Sequence, residues 1–256
     1  VRFWALAFLT GLWLACVARP ALAANITLCA DVWCPYNCTV GARNPGLAIE
    51  VARQVFGEAG YSVDYQTVNW ARCVEDSRAG RFNGIIGAIP IDAPDFIFPV
   101  TPIALSGDGY AVRKGDAFSF KDSSSLNGRV LGVIRNYNYM GLIGAYVSAH
   151  RNDTGRIEFV SGDDALAKNL AKLMAGRIDV VLDDKNVLAN EIAVSHLQDR
   201  VTVAPGPSMT PIYIAFSPAA PSGKDLARIL DAGMARLRAS GRLAQILAKY
   251  HVPDGT

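Results

Sequence analysis

Two adjacent carboxylates, Asp183 and Asp184, follow directly on the apolar run Val180-Val181-Leu182. Carboxylates at the end of a buried strand can accept hydrogen bonds from an ammonium or guanidinium group, or carry a proton in acid–base chemistry. An aspartate there can equally cap the helical stretch 186–194, by accepting from its free N–H groups. The run is entered through Ala175-Gly176-Arg177, and the same Ala-Gly-Arg turn at 79–81 leads into Gly84-Ile85-Ile86-Gly87-Ala88. Aligning Gly80 with Gly176 sets Gly87 and Ala88 opposite Asp183 and Asp184. Ligands of open α/β sheets lie beyond the carboxyl ends of the strands. Two facing lobes would therefore give a cleft with one small, backbone-rich wall and one acidic wall, and Asp184 is the carboxylate assigned to it.

Other side chains suit the same cleft. Trp33, Tyr36 and Trp70 offer aromatic faces to a solute or, more simply, to the core. Asn37, Tyr137 and Asn138 can hydrogen-bond a ligand or form turns. Arg72 and Arg135 are cations that could clamp a carboxylate, although Arg72 also reads as a solvated surface residue. Asp92-Ala93-Pro94-Asp95 reads first as a turn, and Met140 with its apolar neighbours as core. The chain carries no G-x-S-x-G, no phosphate-binding P-loop and no dinucleotide fingerprint. His150, His196 and His251 are far apart, and no metal or other cofactor is expected.

The elements that must position these residues follow a repeated β-α-β-α-β grammar, which builds a parallel sheet. The first half reads as a strand Ile26–Ala30, a helix Leu47–Ala59, a strand Tyr61–Val68, a helix capped by Asn69, and a strand Gly84–Ile89. The second reads as a strand Arg129–Ile134, a helix Tyr139–His150, a strand Arg156–Val160, a helix Ala165–Ala175 and the strand Val180–Leu182. Then come a strand Val201–Ala204, a loop Pro205–Pro211, a strand Ile212–Phe216 and helices over 224–239 and 242–249.

Arg2, a short apolar core and Ala21-Leu22-Ala23 have the form of a secretory signal peptide cleaved after Ala23. The apolar run falls short of the roughly 20 residues a spanning helix needs. Without residues 1–23 the chain holds 23 basic and 23 acidic residues, so net charge draws it neither to nucleic acid nor to anionic lipid. Four cysteines remain, Cys29, Cys34, Cys38 and Cys73. In an exported protein they are expected to form disulfides, and three pairings are open. Cys34–Cys38 is a plausible local closure that would leave Cys29–Cys73.

The order of these features over residues 26–251 resembles the family 3 solute-binding proteins of bacterial ABC importers. The likeness rests on ADVWCPYN after the first strand, the Pro45-Gly46-Leu47 helix start, AGRFNGIIGA, the segment Tyr110–Lys114, Leu126–Val133 and the ending LDAGMARLRASGRLAQILAKYHV. The resemblance implies an α/β, two-lobed periplasmic binding protein fold (type II), with Rossmann-like lobes joined by two hinge strands. Lobe 1 would comprise residues 24–111 and 208–256, and lobe 2 residues 112–207. It implies a monomeric periplasmic receptor that closes on a small polar solute and delivers it to an inner-membrane ABC permease. It aligns Asp184 with the family's ammonium acceptor, Trp33 or Tyr36 with its aromatic, and Gly87, Ala88 and Pro90 with its small residues. Two departures stand out. The T-x-x-R motif whose arginine clamps an amino-acid carboxylate is absent, the chain reading IPIDAPDF instead, and Arg135-Asn136-Tyr137-Asn138-Tyr139 replaces the G-T-T helix start. An ordinary α-amino acid is thus disfavoured as ligand. The alternatives are a dehydratase-like periplasmic enzyme using Asp184 or Asp92, and a sensory or accessory module.

Overall fold

A computed structural model describes residues 24–254; the expected leader, Cys16 included, lies outside the described residues. The elements in chain order are β1 (Ala24–Ala30), α1 (Leu47–Glu58), β2 (Tyr61–Thr67), α2 (Trp70–Arg78), β3 (Gly84–Ala88) and β4 (Ala104–Arg113). A 3-10 turn at Ser123–Leu126 leads to β5 (Leu131–Ile134), α3 (Gly141–Ala149), β6 (Ile157–Val160), α4 (Ala165–Met174), β7 (Val180–Asp184) and α5 (Lys185–Val194). The long strand β8 (Val201–Phe216) and helices α6 (Gly223–Ala239) and α7 (Arg242–Lys249) complete the chain.

The strands run in the order β2-β1-β3-β8-β4-β7-β5-β6. At one end β1 lies parallel to β2 and β3; at the other β5 lies parallel to β6 and β7. These triplets are the sheets of two lobes. The antiparallel pair β4 and β8 joins them, β8 meeting β3 near Phe216 and β4 meeting β7 over Asp108–Ala111. Both Ala-Gly-Arg turns work as the repeat implies: Gly80 and Gly176 adopt φ of 81° and 69°, a region glycine enters without steric cost.

Helices cover both faces of each sheet. In lobe 1 the apolar stripe of α1 (Leu47, Val51, Val55, Phe56) meets Leu230, Met234 and Leu237 of α6 and Leu243, Ile246 and Leu247 of α7. Each such buried side chain contributes about 1.5–3 kcal/mol, and this is why the C-terminal helices return to lobe 1. The opposite face holds Cys29, Trp70, Cys73 and Ile85. On the β5–β7 side, Tyr110 of the connecting strand β4 stacks on Phe120 at 4.8 Å within a core that includes Leu131, Val133 and Val180. Disulfides join Cys29 to Cys73, tying β1 to α2, and Cys34 to Cys38, closing the loop after β1. No helix among the described residues is long and apolar enough to cross a membrane.

Four local expectations are corrected. The stretch Pro205–Pro211 is not a loop but the middle of β8. There β8 pairs with β4 alone, so its other edge needs no N–H donors and tolerates Pro205, Pro207 and Pro211. The register slips in this stretch, leaving Asp108 opposite Gly206, Pro207 and Ser208. Strand β7 does not stop before its aspartates: Asp183 pairs with Gly109 and Asp184 with Asp108 in the ladder. Helix α3 starts at Gly141 rather than Tyr139, because Tyr139 folds back to accept a hydrogen bond from the Ile134 N–H at 2.8 Å. Asn69 holds the N-cap position of α2 but makes no side-chain cap bond.

Candidate functional site

The carboxyl ends of β1, β3, β5 and β7 converge from both lobes on one cavity of about 110 Å³. Lobe 1 contributes Asp31, Trp33 and Asn37 after β1, Trp70 at the start of α2, and Ile86, Gly87, Ile89 and Asp92 at and beyond the end of β3. Lobe 2 contributes Tyr137, Asn138, Tyr139 and Met140 after β5, and Leu182, Asp183 and Asp184 on β7. Ser106 and Asp108 of β4 and Thr210 and Ile212 of β8 form the base. Gly87 and the aspartate pair thus share one cavity, as the paired Ala-Gly-Arg turns imply.

Direct hydrogen bonds close the lobes on each other, and most end on a carboxylate. Trp33 donates from Nε1 to Asp183 Oδ1 at 2.9 Å. The Tyr137 hydroxyl donates to Asp31 Oδ2 at 2.6 Å, and Asn138 Nδ2 to Asp92 Oδ1 at 2.7 Å. Asp92 also accepts from the Ile89 N–H, and Asn37 Nδ2 donates to the Asp31 carbonyl at 2.7 Å. Tyr36 is fully buried behind Trp33, ring centroids 4.7 Å apart, where its hydroxyl donates to Asp184 Oδ2 and accepts from Asn186 Nδ2.

The neighbouring aspartates of β7 play different parts. Asp184 Oδ1 accepts from the Asn186 and Val187 N–H groups at the start of α5, and Oδ2 from Tyr36, Ser106 and the Gly107 N–H, five donors in all. It is both the helix cap and the pin that fixes β4 and the Tyr36 loop to α5. Asp183 is 6% exposed; its Oδ1 accepts from Trp33 and from the Asp184 N–H, and its Oδ2 has no partner. Burial pushes the Asp183 carboxyl up to about 7, against the pull of the Trp33 hydrogen bond. Burial likewise raises Asp31 to about 6, and raises Asp92, Asp108 and Asp184. The lining holds five aspartates and no lysine, arginine or histidine.

Of the residues singled out from sequence, Trp33, Asn37, Trp70, Tyr137, Asn138 and Asp184 line the cavity. Tyr36 lies one layer behind. Ala88 is buried in the core beneath α2, and Pro90 is exposed past the end of β3. Arg135 lies over the Phe159 ring at 5.1 Å beside an adjoining cleft, and the Arg72 side chain is 75% exposed and paired with Asp76, so neither cation lines the main cavity. Asp95 points elsewhere, paired with Arg78. Asp31, Asp108 and Ser106 were not anticipated; Tyr139 belongs to the Arg135–Tyr139 segment singled out from sequence, and Met140, read there as core, is instead 41% exposed and lines the cavity. Asp31 carries a signal of its own, as the first residue past β1; Asp108 carries none, because only the pairing of the hinge strands brings it in.

A family model described as bacterial extracellular solute-binding proteins, family 3, matches residues 26–253. The chain belongs to this family. Solved structures share the fold at low identity. A protein from work on glutathione import via GshT and the cystine ABC importer TcyBC of Streptococcus mutans aligns with a TM-score of 0.74 at 20% identity, over 91% of this chain and 98% of its own. A histidine kinase sensor domain similar to periplasmic binding proteins gives 0.73 at 19% identity, over 90% and 96%. An ancestral arginine-binding protein bound to arginine gives 0.71 at 17% identity, over 90% and 99%. No curated protein sequence matches the chain significantly. As a family 3 member, this solute-binding protein has its cavity where the lobes meet, but without a basic residue on the cavity wall.

Proposed function

We propose that this solute-binding protein is a monomeric periplasmic receptor, exported by a leader removed after Ala23, that hands a small polar solute to an inner-membrane ABC permease. The observation that carries the reading is the interlobe cavity, whose two walls meet through the Trp33–Asp183, Tyr137–Asp31 and Asn138–Asp92 hydrogen bonds. A solute that touches both walls favours the closed state by its differential affinity for it. The hinge is assigned to β4 and β8 at the Asp108 register slip, with lobe 1 formed by 24–111 and 208–256 and lobe 2 by 112–207. Import by the Streptococcus mutans neighbour supports the transport role by analogy. Native mass spectrometry of protein purified without denaturation tests it: a bound small molecule, released on unfolding with its mass unchanged, is the expected result. No ligand retained, together with an unchanged scattering profile across a solute library, refutes it.

A second reading, acid–base chemistry on the solute, is favoured by the buried Asp183 carboxyl poised near neutral pH. Recovery of a chemically altered solute after incubation would select it.

A further inference from the structure

The polar atoms of the cavity are unbalanced. Asp183 Oδ2, Asp108 Oδ2 and Asn37 Oδ1 are buried and make no direct hydrogen bond, and all three are acceptors once the carboxyls are ionised. Ser208 and the Tyr110 hydroxyl lie beside Asp108 and the Tyr65 hydroxyl beside Asn37, so Asp183 Oδ2 is the acceptor that neighbouring side chains leave most clearly unmet. Asp183 and Asn37 are 6% and 1% exposed, so bulk water does not satisfy them. A buried acceptor left without a donor costs free energy, and a buried carboxylate without a counter-charge costs more. Once Asp183 is ionised, a ligand that brings donors and positive charge gains most here.

This preference disfavours several solute classes. An anion or a sugar acid meets five aspartates with no cation to receive it. A zwitterionic amino acid satisfies the acceptors with its ammonium group but has nowhere to put its carboxylate, since Arg72 and Arg135 lie away from the cavity. A quaternary ammonium ion has the charge but no N–H. A metal ion is not matched either: among the described residues no group of three or more His, Cys, Asp or Glu is placed to hold one. An ammonium offers three donors and a guanidinium five, with no acceptors. Trp33, Trp70, Tyr137 and Tyr139 on the wall suit such a cation, since aromatic faces attract positive charge.

We infer that the cavity takes a small organic cation that bears N–H donors and no carboxylate, a primary amine or a guanidine, with Asp183 Oδ2 as its main acceptor and Asp108 and Asn37 beside it. The inference rests on the reading of the protein as a solute receptor. The binding energy comes from discharging the unpaired carboxylate, which a neutral ligand cannot do.

Isothermal calorimetry at pH 8 on the intact mature protein tests it, with methylguanidine, 1,4-diaminobutane, tetramethylammonium, arginine, glucose and succinate as probes. Methylguanidine or 1,4-diaminobutane is expected to bind at least about tenfold more tightly than any of the other four. Asp183→Asn should weaken that binding about 100-fold or more, and Asp108→Asn should weaken it by a smaller factor while leaving Asp183 in place. Tighter binding of glucose, succinate or arginine would overturn the cation assignment while leaving the receptor reading standing. Equal binding of tetramethylammonium and methylguanidine would overturn the donor requirement. Binding of none of the six, with no ligand carried through purification, would overturn both the inference and the receptor reading.

Discussion

Replacing Asp183 by Asn removes a buried charge while keeping the shape and an acceptor for the Trp33 N–H. In the folded protein burial holds the Asp183 proton up to about pH 7, whereas in the unfolded chain the carboxyl keeps its ordinary value of 3.8. Between those values the folded state binds the extra proton, so this group's stabilisation is fully present below the unfolded value and is lost as pH rises through the folded one. The interval from 3.8 to about 7 corresponds to a ceiling of about 4 kcal/mol. Asp184 and Asp31 face Asp183 and add to the repulsion, and Asp31, Asp92, Asp108 and Asp184 are themselves raised, so the wild-type curve alone does not isolate one group. The difference between variant and wild type does. Without ligand, Asp183→Asn should gain stability over wild type as pH rises from 4 to 8, by up to about 4 kcal/mol, or a Tm difference on the order of 10 °C at pH 8. Urea unfolding and calorimetric melts at matched ionic strength measure it. A difference that stays flat from pH 4 to pH 8 would show that Asp183 ionises as an ordinary carboxyl, and the argument from its burial would fail.

Three further outcomes follow from the geometry. Trp33→Phe keeps the stack on Tyr36 but deletes the bond to Asp183; it should weaken closure by about 1.5–3 kcal/mol, read by small-angle scattering as a larger radius of gyration at subsaturating ligand. Asp184→Ala strips five donors of their acceptor and should lower global stability by about 2–5 kcal/mol, measured by denaturant unfolding; a loss of ligand affinity with unchanged stability would reverse the roles given to Asp183 and Asp184. Removing Cys29–Cys73, which closes a long loop, should cost about 4 kcal/mol, against about 2 kcal/mol for the short Cys34–Cys38 loop. The latter change should instead weaken solute binding, since Trp33 adjoins that ring and Tyr36 and Asn37 lie within it; equal stability losses with unaltered binding would contradict this.

The two lobes were legible in the chain because each strand and helix announces itself locally. Apolar periodicity marks α1, α4 and β7, and the repeated Ala-Gly-Arg turns need only a glycine of positive φ to declare that two halves share one grammar. The same repeat located the cleft, since register alone puts Gly87 and the β7 aspartates at strand ends. The middle of β8 was read as a loop because three prolines in a row of seven residues argue against a strand. Only the pairing partner reveals that one edge there is free.

The sequence by itself thus determined the α/β class and the strand ends that meet at the cleft, which depend on residue type and local spacing, while the missing carboxylate clamp was legible only through the family resemblance. Which of two adjacent aspartates is the pin and which is left wanting a donor was decided by tertiary structure. Hydrogen-bond satisfaction depends on what distant segments bring within 3 Å, here Tyr36, Ser106 and Gly107 to one carboxylate and Trp33 to the other. The same holds for Asp108, an unremarkable hinge-strand residue until β4, β7 and β8 enclose it. Desolvation is a property of the assembled cavity, and neither neighbour along the chain carries it.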